Sequence, residues 1–355
     1  MKIIAGISNS HKPDEIEAYV NAGIDEFFVG YVPKEWSDEY GWELSNNRRE
    51  TANYQYRTKE ELANVVDLIR KQDRKVYLTV NAHEYNTHQT KLMLRILDNI
   101  RDIKFDGFIV SNIGIMLELQ KNGFDIDMNV SIGAGSNNIE TLRFFHDNFD
   151  NIGRFILPRK LTIKEIEYIA RYAADNKIRL EVFGMAAYCV FNDEFCFTWH
   201  GPLNKCFCQS PMFEFREVRP LLFDSTWKKE IQAGSPESLY QRQPAIVNEI
   251  QKEKTAYYSK NPKPKPSAYE LGNAYILANL GKCGLCTFKS FKDWGIEAVK
   301  LPLRGQSFRG NIAIVKMAKK VIKEPDPTPQ FCRDLMRSPH FCSGSNCYYD
   351  YPYSK

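Results

Sequence analysis

The residues most able to do chemistry in this chain are its thiols, and they are unevenly placed. No cysteine precedes Cys189, and all nine fall between Cys189 and Cys347. Cys189, Cys196, Cys206 and Cys208 follow closely on the apolar run Leu180-Glu-Val-Phe183. Groups held at the end of a buried strand lie where enzymes built on parallel sheets keep their chemistry. Cys189, Cys196 and Cys206 form one candidate ligand set, with Cys283 as its distant fourth member. A helix read over 284–294 would begin beside Cys283 at the same rim, and a helix N-terminus favours the ligating thiolate. Four such thiolates suit an iron–sulfur cluster or a structural zinc ion. The spacing is neither the compact ferredoxin run nor the paired C-x-x-C of zinc ribbons, and by itself it leaves both open. Cys286, Cys332, Cys342 and Cys347, with Cys208 in reserve, are enough for a second site, a cluster or zinc. The plainer reading makes them spare thiols in a loose tail.

Polar candidates follow the ends of other apolar runs: Asn81, His83, Glu84, Asn112, Ser131, Arg159, Lys160 and Arg304. Arg159 and Arg304 can clamp a carboxylate through paired N–H groups, or form rim salt bridges. His83 and Glu84 have the types of an acid/base pair, but adjacent residues on one strand point apart. His200 can support a metal ligand from outside, or simply be solvated. Arg48 and the aromatics of 33–57 can stack on a flat substrate, or pack a lid. No G-x-S-x-G, H-E-x-x-H, P-loop or G-x-G-x-x-G occurs. The six histidines, at 11, 83, 88, 146, 200 and 340, show no nucleophile–base spacing, which speaks against proteolysis.

Eight short β-rich runs are available to position these groups: 3–8, 26–32, 75–81, 106–112, 126–132, 154–159, 179–183 and 298–303. They are rich in Val, Ile and Phe and mostly do not alternate, as strands buried on both faces should not. Helix signals lie between them: Pro13 in a first turn, Gly23 past a last apolar residue, and Thr58/Glu61 and Thr162/Glu165 in capping-box spacing. Alternating strands and helices predict an α/β fold, a (β/α)8 TIM-like barrel, with a doubly wound open sheet as the other arrangement. The barrel is expected over 1–322, interrupted by a 188–282 insertion that serves as a lid and ends in a Lys/Pro run. A cysteine-containing tail follows over 323–355.

With 48 Lys plus Arg against 44 Asp plus Glu, the net charge is +4, which neither demands nor excludes RNA. An apolar strand opens at residue 2 and no apolar run can span a bilayer, so the expectation is a cytoplasmic protein without a membrane span. Clustered thiols in a reducing compartment point to metal or redox chemistry rather than disulfides.

Several segments resemble the collagenase-like peptidase family U-32. These are Lys75-Val-Tyr-Leu-Thr-Val-Asn81, Ser45-Asn-Asn-Arg48 through Ala52-Asn53-Tyr54, Arg154-Phe-Ile-Leu-Pro-Arg159, and Leu180-Glu-Val-Phe183 followed by Cys189 and Cys196. Cys283, Gly295, Lys300 and Arg304 keep the spacing of the family's cysteine, glycine and K-I-E-G-R segment. The resemblance covers roughly residues 2–320 and implies a barrel and, as in many members, a 4Fe–4S cluster on four cysteines. By position these are Cys189, Cys196, Cys206 and Cys283, with Cys208 competing for the third place. Relatives hydroxylate aromatic rings or RNA bases without O2, drawing oxygen from prephenate; others are described as peptidases. The chain departs from the pattern in carrying Met185 in place of a histidine and Pro302-Leu303 in place of Glu-Gly. It also lacks the P-C-R after the third cysteine.

The resulting expectation is an iron–sulfur-dependent enzyme for oxygen-independent hydroxylation, or a related redox modification, of an aromatic ring or nucleobase. Asn81, His83, Arg159 and Arg304 would face a small aromatic substrate or RNA, with prephenate as a possible oxygen donor. The alternatives are a U-32-type hydrolase and a non-catalytic metal-binding partner of another subunit.

Overall fold

The computed structural model describes residues 1–41, 45–48, 54–185, 193–194, 196, 283–303, 308–336 and 347–349. The first half of the barrel runs β1 (Lys2–Gly6), α1 (Pro13–Ala22), β2 (Glu26–Gly30), α2 (Lys34–Tyr40), α3 (Lys59–Arg70), β3 (Lys75–Val80), α4 (Thr87–Asn99) and β4 (Gly107–Val110). The second half runs α5 (Ile113–Lys121), β5 (Met128–Val130), α6 (Ile139–Asn148), β6 (Ile152–Ile156), α7 (Ile163–Asp175), β7 (Leu180–Phe183), α8 (Phe288–Asp293) and β8 (Ala298–Leu301). Two helices follow, α9 (Phe308–Lys323) and α10 (Pro329–Met336). The strands close in chain order into a parallel barrel, with β1 against β8 completing the ring. The fold is the expected (β/α)8 barrel.

The local reasons are the ones read from the sequence. Every residue of β2 is buried, so neither face meets water and no alternation is required. Pro13 opens α1, and Gly23 closes it at φ 117°, a left-handed turn that a side chain would strain. Thr58 and Thr162 accept from the amides of Glu61 and Glu165, whose carboxylates reach back to the cap residues. Ile166, Ile169, Ala170 and Ala173 then form the buried face of α7. Most strands end earlier than their apolar runs suggest. Residues such as Asn81, Ser111 and Ser131 leave the ladder and bond to one another across the mouth. Among the described residues no helix is long and apolar enough to cross a membrane.

Toward the N-terminal end, the barrel lumen is charged. Arg154 donates to Glu26 at 2.6 Å and to the Tyr77 hydroxyl at 2.9 Å, and lies 3.5 Å from Glu181. Lys300 Nζ is 2.8 Å from Glu181 and 4.3 Å from the centre of the Phe28 ring. Lys2 ties Glu26 to Glu297 at the bottom, at 3.0 and 2.7 Å. Burial alone would lower the Arg154 pKa, but Glu181 and Glu26 outweigh it and hold the guanidinium charged. Each carboxylate meets a cation, the condition under which buried charge is tolerated. This is the end of a barrel that carries stability, with chemistry at the other.

Two features differ from expectation. Residues 284–294 are not one helix: a 3-10 turn at Leu285–Thr287 precedes the six-residue α8, so no long helix dipole points at Cys283. The end of the tail is also not loose. Tyr348 N–H donates to the Cys283 carbonyl at 2.9 Å, and the Tyr349 hydroxyl donates to the Phe183 carbonyl.

Candidate functional site

The C-terminal mouth of the barrel is ringed by short polar side chains. Asn81, just past β3, accepts from the Arg48 amide at 3.2 Å and donates to Ser131 Oγ past β5 at 3.3 Å. Ser111, past β4, donates to the Asn81 carbonyl, and Asn112 donates to the His83 carbonyl at 3.1 Å. The loop carrying Arg48 is fixed from below. Asn46 donates to the Tyr31 carbonyl at 2.9 Å, and Asn47 and Gln55 exchange paired amide bonds at 3.0 Å. Trp36 is buried in the same region and the Tyr56 hydroxyl donates to the Ser8 carbonyl, so these two aromatics pack the loop against the barrel.

Over this ring sits Asp193, almost fully buried. Its carboxylate lies 3.5 Å from Arg48 Nη1 and 3.3 Å from Arg159 Nε, and its carbonyl accepts from Arg48 at 3.1 Å. The Arg159 guanidinium stacks 4.4 Å from the centre of the Phe183 ring at the top of β7. The neighbouring Glu194 accepts from Asn137, past β5, at 2.8 Å. Residues 193–194 are thus pinned to the rim from three sides, and Cys196, also buried, follows within three residues.

The chain returns to this rim at Cys283. Beyond β7, Met185 pairs with Cys283 in an antiparallel bridge, and Cys283 pairs in turn with Cys347 in a parallel one. Gly184 shows which way the row faces. A Cβ there would lie 2.5 Å from Val299 Cγ2 and 2.8 Å from Phe288 Cζ, in the layer between barrel and helices. Residues alternate in an extended chain, so Met185 faces the lumen side, and its bridge partners share that face.

One contact was not legible in the sequence. Past β1, Ser8 Oγ lies 2.9 Å from His11 Nδ1, which also accepts from the Ser8 amide at 3.1 Å, and the Tyr19 hydroxyl is 3.4 Å from His11 Nε2. This is a nucleophile–base contact on the rim, where none was expected. Ser8 is fully buried and its Oγ also meets Ser10 at 2.8 Å, so the contact closes a turn rather than presenting a nucleophile.

The model of peptidase family U32 matches residues 11–340. The chain belongs to peptidase family U32. Over 132 residues it is 31% identical to tRNA hydroxylation protein P of Haemophilus influenzae, covering 37% of this chain and 27% of that protein. It is 30% identical over 148 residues to a Methanocaldococcus jannaschii protein named an uncharacterized protease, covering 41% of this chain and 35% of that protein. It is 24% identical over 185 residues to the collagenase of Porphyromonas gingivalis, covering 50% of this chain and 40% of that protein. The matched stretches therefore span 27–40% of those relatives' own lengths. A solved U32 peptidase superposes with a TM-score of 0.40 at 13% identity, over 62% of this chain and 84% of that one.

Of the four thiols assigned by resemblance to U32 proteins, Cys196 and Cys283 are described and both are buried, Cys283 beside Met185 past β7. Cys189 and Cys206 lie outside the described residues, as do Cys208, Cys342, His200 and Arg304. Among the described residues no three His, Cys, Asp or Glu side chains converge as a metal site. The donors present are nonetheless thiols, the type that a cluster or zinc needs.

The remaining candidates separate. Arg159 is engaged with Asp193. The His83 ring lies against Gly133, where a Cβ would come within 3.0 Å, whereas Glu84 is exposed, so the two side chains diverge. Lys160 is exposed. Cys286 and Cys332 are buried, and α10, which carries Cys332, leans on the turn that carries Cys286.

Proposed function

We propose that this U32 chain is an iron–sulfur-dependent enzyme that hydroxylates a ring without using O2, with an RNA nucleobase as the favoured substrate. The observation that supports the reading is the bridge of Cys283 to Met185 past β7, four positions before Cys189 in the sequence. The name of the Haemophilus relative supports RNA over a free aromatic compound. Cys189, Cys196, Cys206 and Cys283 would hold a 4Fe–4S cluster, which when bound would supply a one-electron redox centre or, with one thiolate displaced, an iron with an open position. The chain's own groups would do the rest. The half-buried amides of Asn81 and Asn112 would offer directional hydrogen bonds, and Arg159, with Arg304, would offer charge for a carboxylate-bearing oxygen donor of the prephenate kind.

Anaerobic purification tests this directly. The expected product is a brown protein with about four irons and four acid-labile sulfides per chain. Cys189→Ser and Cys283→Ser should each strip the iron while leaving the far-UV circular dichroism intact. A colourless protein that cannot be reconstituted with iron and sulfide would end the reading.

Hydrolysis is the second reading, favoured by relatives named as a protease and a collagenase. It requires peptide cleavage by metal-free protein.

A further inference from the structure

We propose that Arg48 and Arg159 form a carboxylate-binding subsite at the barrel mouth, which Asp193 fills from within the chain until the carboxylate of a small ligand displaces it. The subsite rests on the reading above only through its carboxylate-bearing oxygen donor, and not on the cluster.

Three observations carry it. First, two guanidinium groups from different parts of the barrel meet opposite oxygens of one carboxylate. Arg48, from the loop between α2 and α3, has Nη1 3.5 Å from Asp193 Oδ1, and Arg159, past β6, has Nε 3.3 Å from Oδ2. A carboxylate flanked in this way marks the place that a ligand carboxylate would take. Both arginines keep some contact with solvent, at 11% and 14% exposure, against 2% for Asp193. Second, the fit is loose. Charge-assisted bonds of this kind close to about 2.7–2.9 Å, and the buried pairs Arg154–Glu26 and Lys300–Glu181 reach 2.6 and 2.8 Å. Asp193, tethered by its own backbone, comes that close to neither arginine, whereas a free carboxylate can settle against both. Arg48 also holds the Asp193 carbonyl at 3.1 Å, so the side chain can turn aside while the main chain stays anchored. Third, polar atoms beside the clamp are unspent. Among the described residues Glu194 Oε2 and the Oγ of fully buried Ser136 have no hydrogen-bond partner. Asn137, next to Ser136, donates to the other oxygen of Glu194 at 2.8 Å, so both atoms belong to this part of the mouth. Buried polar atoms in that state cost free energy until a further molecule meets them.

An ion pair at a rim is most often a plain tie between segments. A tie that had only to hold residues 193–194 would gain by closing to full contact, and this one stays open on both sides. The two accounts part when the charge is removed without changing the shape. A tie then loses stability and binds nothing, whereas a subsite relieved of its internal occupant gains affinity for a carboxylate from outside.

The test uses the full chain as wild type, Asp193→Asn, Arg48→Met and Arg159→Met, with circular dichroism as the check on folding and iron measured on the same samples. Succinate, benzoate and inorganic phosphate are titrated by isothermal calorimetry at constant ionic strength. Wild type is expected to bind a carboxylate weakly. Asp193→Asn, which keeps the shape and removes the competing charge, should bind it about tenfold more tightly. Arg48→Met and Arg159→Met should each lose the binding. If Asp193→Asn does not fold, Asp193→Ser takes its place and is read in the same way. Equal affinity in wild type and Asp193→Asn, or no carboxylate binding by either, overturns the self-filled subsite. Binding that survives Arg159→Met also overturns it, by placing the carboxylate elsewhere. Phosphate bound as tightly as the carboxylates overturns the choice of ligand in favour of a phosphate such as that of an RNA backbone. Carboxylate binding by a chain that takes up no iron leaves the subsite standing while the iron–sulfur reading falls, and an iron-loaded chain that binds no carboxylate does the reverse.

Discussion

A carboxylate held between two guanidinium groups fixes both only while it carries its charge. Asp193 does this at the mouth, tying the Arg48 loop and Arg159 to the segment that leads into Cys196. Asp193→Asn keeps the shape and removes the charge, turning an acceptor pair into one acceptor and one donor facing cations. Loss of charge-assisted bonds in a partly buried setting should cost about 1–3 kcal/mol. In a chain of this size that is a fall in melting temperature of roughly 1–4 °C. Iron retention after dialysis against a chelator should fall too, because the segment next to Cys196 loses its anchor. A variant that melts and holds iron like wild type would show the tie to be incidental. None of this was visible beforehand. Arg48 and Asp193 are 145 positions apart, and a lone aspartate in a thiol-rich stretch carries no pattern. Ser8 and His11 were missed for the opposite reason, since an i,i+3 contact at a turn matches no catalytic motif.

The elements were far more legible than the contacts between them. Each strand is a run of Val, Ile and Phe bounded by a cap or turn signal, and burial on both faces in a parallel barrel demands such runs. What the runs could not reveal is the polar layer inside them. Glu26, Tyr77, Arg154, Glu181 and Lys300 each interrupt an apolar run on a different strand, and only closure of the ring brings them together. The same closure lets the charged layer be tested. Arg154→Met should destabilise the barrel by about 3–5 kcal/mol in denaturant titration, because Glu26 and Glu181 would remain buried without their shared cation. Adding Glu26→Gln to Arg154→Met should recover part of that loss, giving a coupling energy that two independent sites would not show. Simple additivity would mean that Arg154 fills space rather than neutralises charge. Residues 284–294 teach a related lesson. Their composition allows a helix, but a chain that must pair with Met185 and then turn down the outside of β7 opens with a 3-10 turn instead.

At the scale of the molecule, the open issue is whether the barrel holds the cofactor or is held by it. Small metal-dependent domains unfold without their metal because they have no other core. This chain is built differently. Its ring is closed by the β1–β8 ladder, its core runs from Ile3 to Tyr349 through every strand, and the charged layer at the N-terminal end pairs each carboxylate with a cation of the chain itself. The segments nearest the candidate thiols lie past the strand ends: the Asp193 segment, the Cys283 turn and the tail end at Cys347. Removal of iron by a chelator under anaerobic conditions should therefore leave a cooperatively melting protein with near-native far-UV circular dichroism. The loss should be local. The 193–196 segment, the Cys283 turn and the tail should become more accessible to hydrogen exchange and proteolysis, while β1 to β6 stay protected. Restored iron and sulfide should reverse the change, since the scaffold that collects the thiols persists. An apo chain that melts without cooperativity would place the metal among the determinants of the fold and make the cysteines structural. With the barrel intact and only the mouth loosened, the thiols are left as equipment for chemistry, mounted on a scaffold that is stable without them.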